Sequence, residues 1–214
     1  MSRNNQVAQN NIMVQQRYIA QIISLLLVMM LCMQCSNDPT LMPRPRAYPR
    51  VIYPPKTYQA FDTSFCRFTF EYPTYATIQK DTNYFSDQPL NECWFDVVFP
   101  MFNGRIHCTY YPINRQNTFD KLRSDAFELT DKHNVRATFI DQQPVAHGNV
   151  KGYIFYIDGP VATPLQFYLS DSTKHFLRGA LYFNNHVALD SIQPVYEFIK
   201  QDVNQMVNTF AWKR

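Results

Sequence analysis

A proline-dense segment limits where this chain can build a folded core. Six of the 14 prolines fall between Pro39 and Pro55, in a chain of 214 residues. Proline lacks a backbone N–H and fixes φ, so this density favours extended polyproline II structure over a packed core. The sequence therefore divides into a leader over residues 1–34, a Pro/Arg-rich tether over residues 35–57 and one domain over residues 58–214.

The leader has the pattern of a secretory signal. Residues 22–33 form an uncharged apolar run, and Arg17 precedes it. An apolar run of this length behind a basic flank is typical of a signal peptide and is short for a membrane-spanning helix. We therefore predict a lipoprotein signal peptide over residues 1–34, with Met1 or Met13 as its start. An uncleaved signal anchor is the alternative.

A cysteine follows the apolar run, as in the lipobox of bacterial lipoproteins. Cys35 precedes a polar stretch and is the predicted lipidation site, with Cys32 as the alternative. Acyl chains would anchor the protein durably, because each buried CH₂ group contributes about 0.8 kcal/mol. Roughly 20 tether residues at about 3.1 Å each would let the domain lie up to about 60 Å from the bilayer. We expect a cell-envelope protein that faces the periplasm, on either the inner or the outer membrane.

Composition predicts an ordinary globular domain that does not bind nucleic acid. Hydrophobic residues make up 46% and charged residues 17% of the chain, which is too apolar for intrinsic disorder. The whole chain has a net charge of +3, but residues 58–214 hold 14 basic and 16 acidic residues, a net charge of −2. That balance does not provide the basic surface on which nucleic-acid binding depends.

Alternating aromatic stretches and helical periodicity predict strands, a helix, more strands and a second helix. One helix begins after Asn117 or Thr118, and another begins near Asp190. The predicted strands cover residues 65–72, 93–99, 105–111, 136–142, 150–157, 165–170 and 175–183. Short connections favour antiparallel pairing, so we predict an α+β fold with an antiparallel sheet flanked by two amphipathic helices. The order of elements is similar to that of the Mog1/PsbP-like sandwich.

The three cysteines of the predicted domain allow one disulfide. With Asn103-Gly104 as a two-residue hairpin turn, Cys108 faces Phe99 and lies roughly 20 Å along the ladder from Cys93. A disulfide needs Cα atoms within about 7 Å of each other. We therefore predict the bond Cys66–Cys93 in preference to Cys66–Cys108, with Cys108 free in the core. Three free thiols are the alternative.

Two segments are candidates for a binding surface, a polar turn and a pair of tyrosines after a strand. The predicted partner-binding residues are Asp171, Ser172, Thr173, Lys174, His175, Arg178, Tyr72 and Tyr75. The polar turn contains a hydroxyl, an acid and a base, but neighbouring hairpin residues rarely form the ordered contacts that catalysis needs. A turn held by its own side chains is the simpler interpretation. We assign no role to Asp96 and Arg105, because the predicted hairpin register does not place them opposite each other.

Motifs of known catalytic or metal sites do not occur in the sequence. No two of the five histidines are spaced i, i+4, and residues 58–214 contain no CxxC motif, since the one such spacing, Cys32 to Cys35, lies at the end of the predicted signal. GxSxG, P-loop and GxGxxG motifs are also absent from the sequence. We predict no catalytic residue, no metal, no cofactor and no small-molecule substrate.

Several stretches of the domain together resemble a known family. They are residues 66–73, 93–107, 166–183 and 196–212, of which 166–183 is the longest and most specific. Preceded by a lipobox and a tether, they are similar to the gliding-motility lipoprotein GldD of the Bacteroidota. The resemblance covers roughly residues 48–214.

This resemblance implies a non-enzymatic, lipid-anchored protein of the cell envelope. It implies a role in assembling or stabilising the gliding machinery and the type IX secretion apparatus that shares its components. The implied partners are envelope proteins of that apparatus and, through the anchor, the membrane. The family has no established catalytic residues, so none is carried over. The alternative is a small envelope hydrolase or glycan-binding module that uses the loop 170–178.

Overall fold

The structure, a computed structural model, divides into two units, residues 1–47 and 48–214. It describes residues 17, 19, 21–24, 26, 50–80, 91–184 and 189–213. The described positions of the first unit are helical and exposed. Cys32 and Cys35 lie outside the described residues, so lipidation stays a prediction. Within the described ranges, no helix has both the length and the apolar character needed to span a bilayer.

The described part of the second unit is built from strands and two α-helices. The strands are β1 (Tyr58–Asp62), β2 (Phe68–Pro73), β3 (Thr77–Lys80), β4 (Phe95–Phe99), β5 (Gly104–Pro112), β6 (Phe139–His147), β7 (Val150–Asp158), β8 (Leu165–Ser170), β9 (His175–Phe183) and β10 (Ala211–Trp212). The helices are α1 (Phe119–Asp131) and α2 (Leu189–Thr209). Short 3-10 turns cover Pro100–Phe102 and Lys132–Val135.

The strands form two antiparallel sheets. The large sheet has the order β3-β4-β5-β9-β8-β7-β6, and the small sheet has the order β1-β2-β10. The predicted α+β class, with an antiparallel sheet and two flanking helices, is confirmed. The small sheet was not predicted, because β10 has two residues and β1 shows one buried side chain in five. Such strands carry too little alternation to be recognised from sequence.

Each helix covers one face of the large sheet. Helix α1 begins at Thr118, whose side chain accepts a hydrogen bond from the N–H of Lys121. Its buried residues Leu122 and Ala126 pack against aromatic rings of the large sheet, including Phe155. Helix α2 and the small sheet cover the opposite face. The structure is therefore three-layered, with the large sheet in the middle.

The sequence of the second helix predicts an apolar stripe that belongs to the core, formed at helical spacing by Ile192, Tyr196, Ile199, Val203, Met206 and Phe210. Its buried core residues are Tyr196, Ile199, Val203, Met206 and Val207. Full burial of such side chains stabilises the fold by about 1.5–3 kcal/mol each. The prediction that this stripe belongs to the core is confirmed.

The hairpin between β4 and β5 differs from the prediction. Its loop holds four residues, a 3-10 turn at Pro100–Phe102 followed by Asn103 in the left-handed region at φ 47°. Phe99 therefore pairs with Gly104, which is the first residue of β5. Pro100 favours a helical turn because its φ is fixed, and asparagine tolerates the left-handed conformation. The predicted two-residue turn Asn103-Gly104 was wrong.

This register changes the cysteine geometry. Cys108 pairs with Phe95 rather than with Phe99. Continuing the ladder places Cys93 about two residues, or about 7 Å, from the level of Cys108 instead of the predicted 20 Å. The argument against a Cys93–Cys108 bond was therefore wrong. The structure nevertheless contains a disulfide between Cys66 and Cys93, with Cα atoms 5.7 Å apart, and Cys108 is buried as a free thiol.

The described end of the predicted tether packs on the domain. Val51 contacts the main core, and the ring of Tyr53 lies 4.6 Å from that of Phe198 on α2. The ammonium group of Lys56 bonds the carbonyl of Phe198 at 2.7 Å. The folded unit therefore includes residues 51–57, and the domain starts earlier than the predicted boundary at residue 58.

Candidate functional site

The predicted polar turn joins β8 to β9 and is held by its own side chains. Oδ1 of Asp171 accepts hydrogen bonds from the backbone N–H groups of Thr173, Lys174 and His175 at 2.9, 2.8 and 2.9 Å. Ser172 adopts the left-handed φ of 65° that the tight turn requires. Burial alone raises the pKa of Asp171, but the three N–H bonds outweigh it and hold that pKa below its ordinary value. The carboxylate of Asp171 therefore shapes the loop.

His175 is fixed between two aromatic side chains. Its Nδ1 and the hydroxyl of Tyr110 share a hydrogen bond of 2.6 Å. Its ring stacks on the indole of Trp212, with ring centroids 5.1 Å apart. Burial lowers the pKa of His175, the carboxylate of Asp171 opposes this shift, and the charge of Lys174 adds to it. Among the described residues, the side chain that shares a hydrogen bond with this imidazole is the hydroxyl of Tyr110, not that of a serine.

A cleft of about 440 Å³ opens beside this turn. Its lining residues are Arg67, Asn149, Asp171, Thr173, Lys174, His175, Trp212 and Lys213. The chain brings them together because β10 pairs with β2, and the N–H of Lys213 bonds the carbonyl of Arg67 at 2.8 Å. The cleft is a basic concavity with an aromatic wall. Sequence reasoning missed Arg67, Trp212 and Lys213, because only the pairing of two short strands places them beside the turn.

Arg178 does not belong to this cleft. It lies on the α1 side of the large sheet, since strand residues alternate between faces and its neighbour Leu177 packs in the core beneath α2. Arg178 donates a 2.7 Å hydrogen bond to Oε1 of Gln166. Gln166 in turn donates to Thr163, whose hydroxyl contacts His133 at 2.7 Å. The structure therefore separates Arg178 from the other residues of the predicted turn.

The two predicted tyrosines lie at the other end of the large sheet. Tyr75 packs near the rings of Phe99 and Phe102 at the start of β5, whereas His175 pairs with Pro112 at the end of that strand. The nine residues of β5 span about 27 Å. The turn and the tyrosines therefore do not form one surface.

Tyr75 takes part in a buried polar cluster that sequence reasoning missed. Its hydroxyl donates to the carboxylate of Asp202, which is 1% exposed on α2. Asp202 also accepts from Lys56 at 2.6 Å and from Tyr58 at 3.0 Å. Burial and then Asp202 raise the pKa of Tyr58 to about 12. Tyr72 packs edge-on against Phe70. Both tyrosines thus have structural contacts.

A second polar cluster lies on the α1 side of the large sheet. Asp96 pairs with His107 across the β4–β5 ladder, and Oδ1 of Asp96 lies 2.8 Å from Nδ1 of His107. Arg105 donates to the other oxygen of Asp96 at 3.1 Å. Asp96 and Arg105 are not directly opposed in the observed register either, but they are diagonal neighbours on the ladder, so the predicted register hid the contact between them.

A larger cleft, of about 660 Å³, lies away from the predicted residues. It is formed by β6, β7 and α2 and is lined by the acidic side chains of Asp141, Asp158 and Glu197. Among the residues that line this cleft, Lys200 is the only one with a basic side chain. The two clefts thus have opposite charge. Within the described ranges, no three His, Cys, Asp or Glu residues are placed to hold a metal ion.

Comparison with known families identifies the chain. The sequence profile described as gliding motility lipoprotein GldD matches residues 38–212, which is most of the 214-residue chain. The chain belongs to the GldD family. The match covers most of the predicted tether, both sheets and both helices, so the folded unit is a GldD domain. The resemblance seen in the sequence is confirmed, and membership of this lipoprotein family associates the chain with the cell envelope and with gliding motility.

One solved structure shows a partial similarity to this GldD domain. It is the solution structure of cyanobacterial PsbP (CyanoP) from Synechocystis sp. PCC 6803, with a TM-score of 0.44 and 11% identity. The similarity covers 79% of this chain and 99% of the cyanobacterial chain. No curated protein matches the GldD-family chain. The α+β class therefore rests on the sheets and helices described above.

Proposed function

We propose that this GldD-family chain is a non-enzymatic, lipid-anchored component of the gliding and type IX secretion machinery. Lipidation at Cys35 holds it at an envelope membrane, and the domain faces the periplasm. The β8–β9 turn and its cleft bind an envelope protein of the machinery, which assembles or stabilises the complex. Family membership supports the association with gliding motility, and the exposed, preformed turn supports the binding role.

One observation carries the choice of binding over catalysis. One carboxylate oxygen of Asp171 accepts hydrogen bonds from three backbone N–H groups, and Nδ1 of His175 shares a hydrogen bond with the hydroxyl of Tyr110. An acyl-transfer site needs the base within hydrogen-bond reach of a nucleophile and needs a third group to orient the base. Arg178, another residue of the loop 170–178 considered for a hydrolase, lies on the other face of the sheet. A rigid turn with exposed Thr173 and Lys174 is instead suited to recognition.

Complementation of a deletion strain tests this function. The variant Thr173→Arg adds bulk to an exposed position of the turn, so it blocks a partner without unfolding the domain. We expect lost gliding or secretion at a normal protein level, whereas Ser124→Arg on the exposed face of α1 restores both. Full activity of Thr173→Arg would contradict the proposed surface.

A second variant separates binding from chemistry. His175→Gln keeps a polar side chain of similar length but removes the titrating group. If the protein only binds, the complex and secretion are lost together or kept together. Loss of secretion with an intact complex would overturn the proposal in favour of a hydrolase.

A further inference from the structure

The most exposed apolar side chains of the described residues lie at one end of the large sheet. This end is opposite the β8–β9 turn, and the strand pairs Phe99–Gly104 and Asp158–Phe139 mark it. Single exposed apolar side chains are ordinary on a protein surface, but several at one end form a group. Four large apolar side chains of this end are 62 to 91% exposed: Ile52, Met101, Val135 and Phe139. We call the surface that these four residues form the apolar end.

The four side chains of the apolar end lie in two groups. Met101 lies in the 3-10 turn between β4 and β5, and Ile52 lies close to it, because the ring of the next residue, Tyr53, stacks on Phe102 of that turn with centroids 6.1 Å apart. The other two side chains lie at or just before the start of β6. Five strand spacings of about 4.8 Å separate β4 from β6 in the large sheet, so the groups lie roughly 24 Å apart. A ligand that contacts both groups must therefore be broad.

The connecting loops at the two ends of the sheet differ in chemistry. At the apolar end, residues 100–103 read PMFN and residues 159–164 read GPVATP, without a charged side chain. At the opposite end, the β8–β9 turn reads DSTK, and Arg67 and Lys213 lie beside it. The domain therefore has a polar end, which we proposed to bind a protein, and an apolar end.

The tether enters the domain at the apolar end. Arg50 directly precedes the segment that carries Ile52 and Tyr53, and the predicted lipidation site, Cys35, lies fifteen residues before Arg50. Fifteen residues of fully extended chain reach about 50 Å at most. A membrane that holds the acyl chains of this GldD-family lipoprotein is therefore within reach of the apolar end without the chain passing around the domain.

We propose that the apolar end rests on the lipid bilayer in which the protein is anchored. Its four exposed side chains enter the interfacial region, where binding strengthens with the buried apolar area. A bilayer is broad enough to contact both groups at once, and Tyr53 is of a residue type that is enriched at membrane–water interfaces. This orientation places the β8–β9 turn, at the far end of β5, about 27 Å from the membrane. The inference rests on the proposed function for the lipid anchor.

The contact depends on apolar burial rather than on charge. Arg50 and Arg136 are exposed basic residues near the apolar end, but Asp141, Asp158 and Glu197 line the acidic cleft beside it. The charges near this end are thus mixed in sign, and an anionic bilayer gains little from them. We therefore expect the contact to withstand high salt, which screens charges.

Photocrosslinking to lipid tests the proposal. The full chain, with a photoreactive amino acid at Met101 or Phe139, is purified from its own membranes and reconstituted into vesicles of phosphatidylethanolamine and phosphatidylglycerol. After irradiation, mass spectrometry identifies lipid adducts, which we expect at positions 101 and 139 both without salt and in about 1 M NaCl. The matched controls are Phe65, which is apolar and exposed but lies next to the disulfide, and Thr173 in the distant turn. We expect no lipid adduct at either control position.

Three results of this experiment would overturn the proposal. They are missing adducts at position 101 or 139, equal adducts at the control positions, and loss of the adducts in high salt. Adducts to a second copy of the chain in place of lipid would overturn it as well, because the apolar end would then be a protein interface.

Charged substitutions identify the side chains that make the contact. A photoreactive amino acid at Ile52 reports the contact while other residues of the apolar end are changed. We expect Met101→Asp together with Phe139→Asp to lower the lipid adducts at position 52 by about tenfold or more, because both side chains lose apolar burial. Phe65→Asp is the matched control and leaves the adducts unchanged. These residues are exposed, so an unchanged melting temperature confirms the fold, and unchanged adducts in the double variant would contradict the proposal.

The outcome for the apolar end is separable from that for the proposed function. If Thr173→Arg abolishes gliding or secretion and no lipid adduct forms at position 101 or 139, the partner surface stands and the membrane contact falls. If the adducts form and Thr173→Arg is fully active, the membrane contact stands and the turn loses its proposed role.

Discussion

At the scale of single residues, Asp202 is a buried acid that connects separate parts of the domain. Its carboxylate is buried and accepts from Lys56 and Tyr58, which lie in one segment, and from Tyr75, which lies in another. A buried carboxylate is stable only when its charge is compensated by such partners. Asp202 therefore ties the described end of the tether and the loop after β2 to helix α2.

Replacing Asp202 by asparagine tests this role. The amide keeps the volume but removes the charge that Lys56 faces, so we expect the free energy of unfolding to fall by about 1–3 kcal/mol. Asp125→Asn on the exposed face of α1 is the matched control and changes it by less than about 0.5 kcal/mol. Urea denaturation measures both. Equal stability of Asp202→Asn and the parent would show that the cluster contributes nothing.

The titration of His175 gives a second prediction at this scale. Its pKa in the folded state lies below the ordinary 6.5, because burial disfavours the imidazolium. The unfolded chain therefore takes up the proton first as pH falls through 6.5, and stability is lost between that pH and the folded pKa. The free energy of unfolding should fall less between pH 7 and pH 5 in His175→Asn than in the parent. An NMR titration that gave His175 a pKa above 6.5 would contradict this account.

At the scale of elements, the disulfide links the small sheet to the large one. Cys66 precedes β2, Cys93 precedes β4, and the bond closes a sequence separation of 27 residues. Closing a loop of this length stabilises the fold by about 3–4 kcal/mol, chiefly by restricting the unfolded chain. We expect the double variant Cys66→Ser, Cys93→Ser to lose about that much in urea denaturation. Dithiothreitol should lower the parent to the same value and leave the variant unchanged; a parent insensitive to reduction would refute the prediction.

The described end of the tether is an element of the fold in its own right. Tyr53 contacts Phe198 and Phe102, with ring centroids at 4.6 and 6.1 Å, whereas the adjacent Ile52 is 78% exposed. We expect Tyr53→Ala to lower the free energy of unfolding by about 1–2 kcal/mol. Ile52→Ala, the matched control, should leave it unchanged. If both substitutions had the same effect, residues 50–57 would not be part of the folded unit.

At the scale of the whole molecule, elements with a local sequence pattern could be predicted, whereas elements that depend on long-range strand pairing could not. The strands at 150–157, 165–170 and 175–183 and the helix capped by Thr118 follow from alternation, periodicity and capping, which are local. The small sheet depends on β10, whose two residues carry no pattern of their own.

In the candidate site, too, the part that depends on local sequence was predictable and the part that depends on tertiary pairing was not. The self-bonded turn at Asp171 was predictable, because Asp, Ser and Thr stabilise turns through their own backbone. Its cleft was not, because Arg67 and Trp212 reach the turn only through tertiary pairing. The predicted turn was centred two residues too late in the chain, which shifted every β4–β5 pairing by four residues and hid the contact between Asp96 and His107.

The central claim is that the β8–β9 turn of this envelope lipoprotein binds a protein of the gliding and secretion machinery. A photoreactive amino acid is placed at Thr173 of the full chain in its own bacterium, and a matched strain carries it at Ser124 on α1. Membranes are irradiated, and the crosslinked proteins are identified by mass spectrometry. The account predicts that position 173, but not position 124, crosslinks to envelope proteins of the gliding or type IX secretion apparatus. Cell-wall fragments at position 173, or the same proteins at both positions, would contradict it.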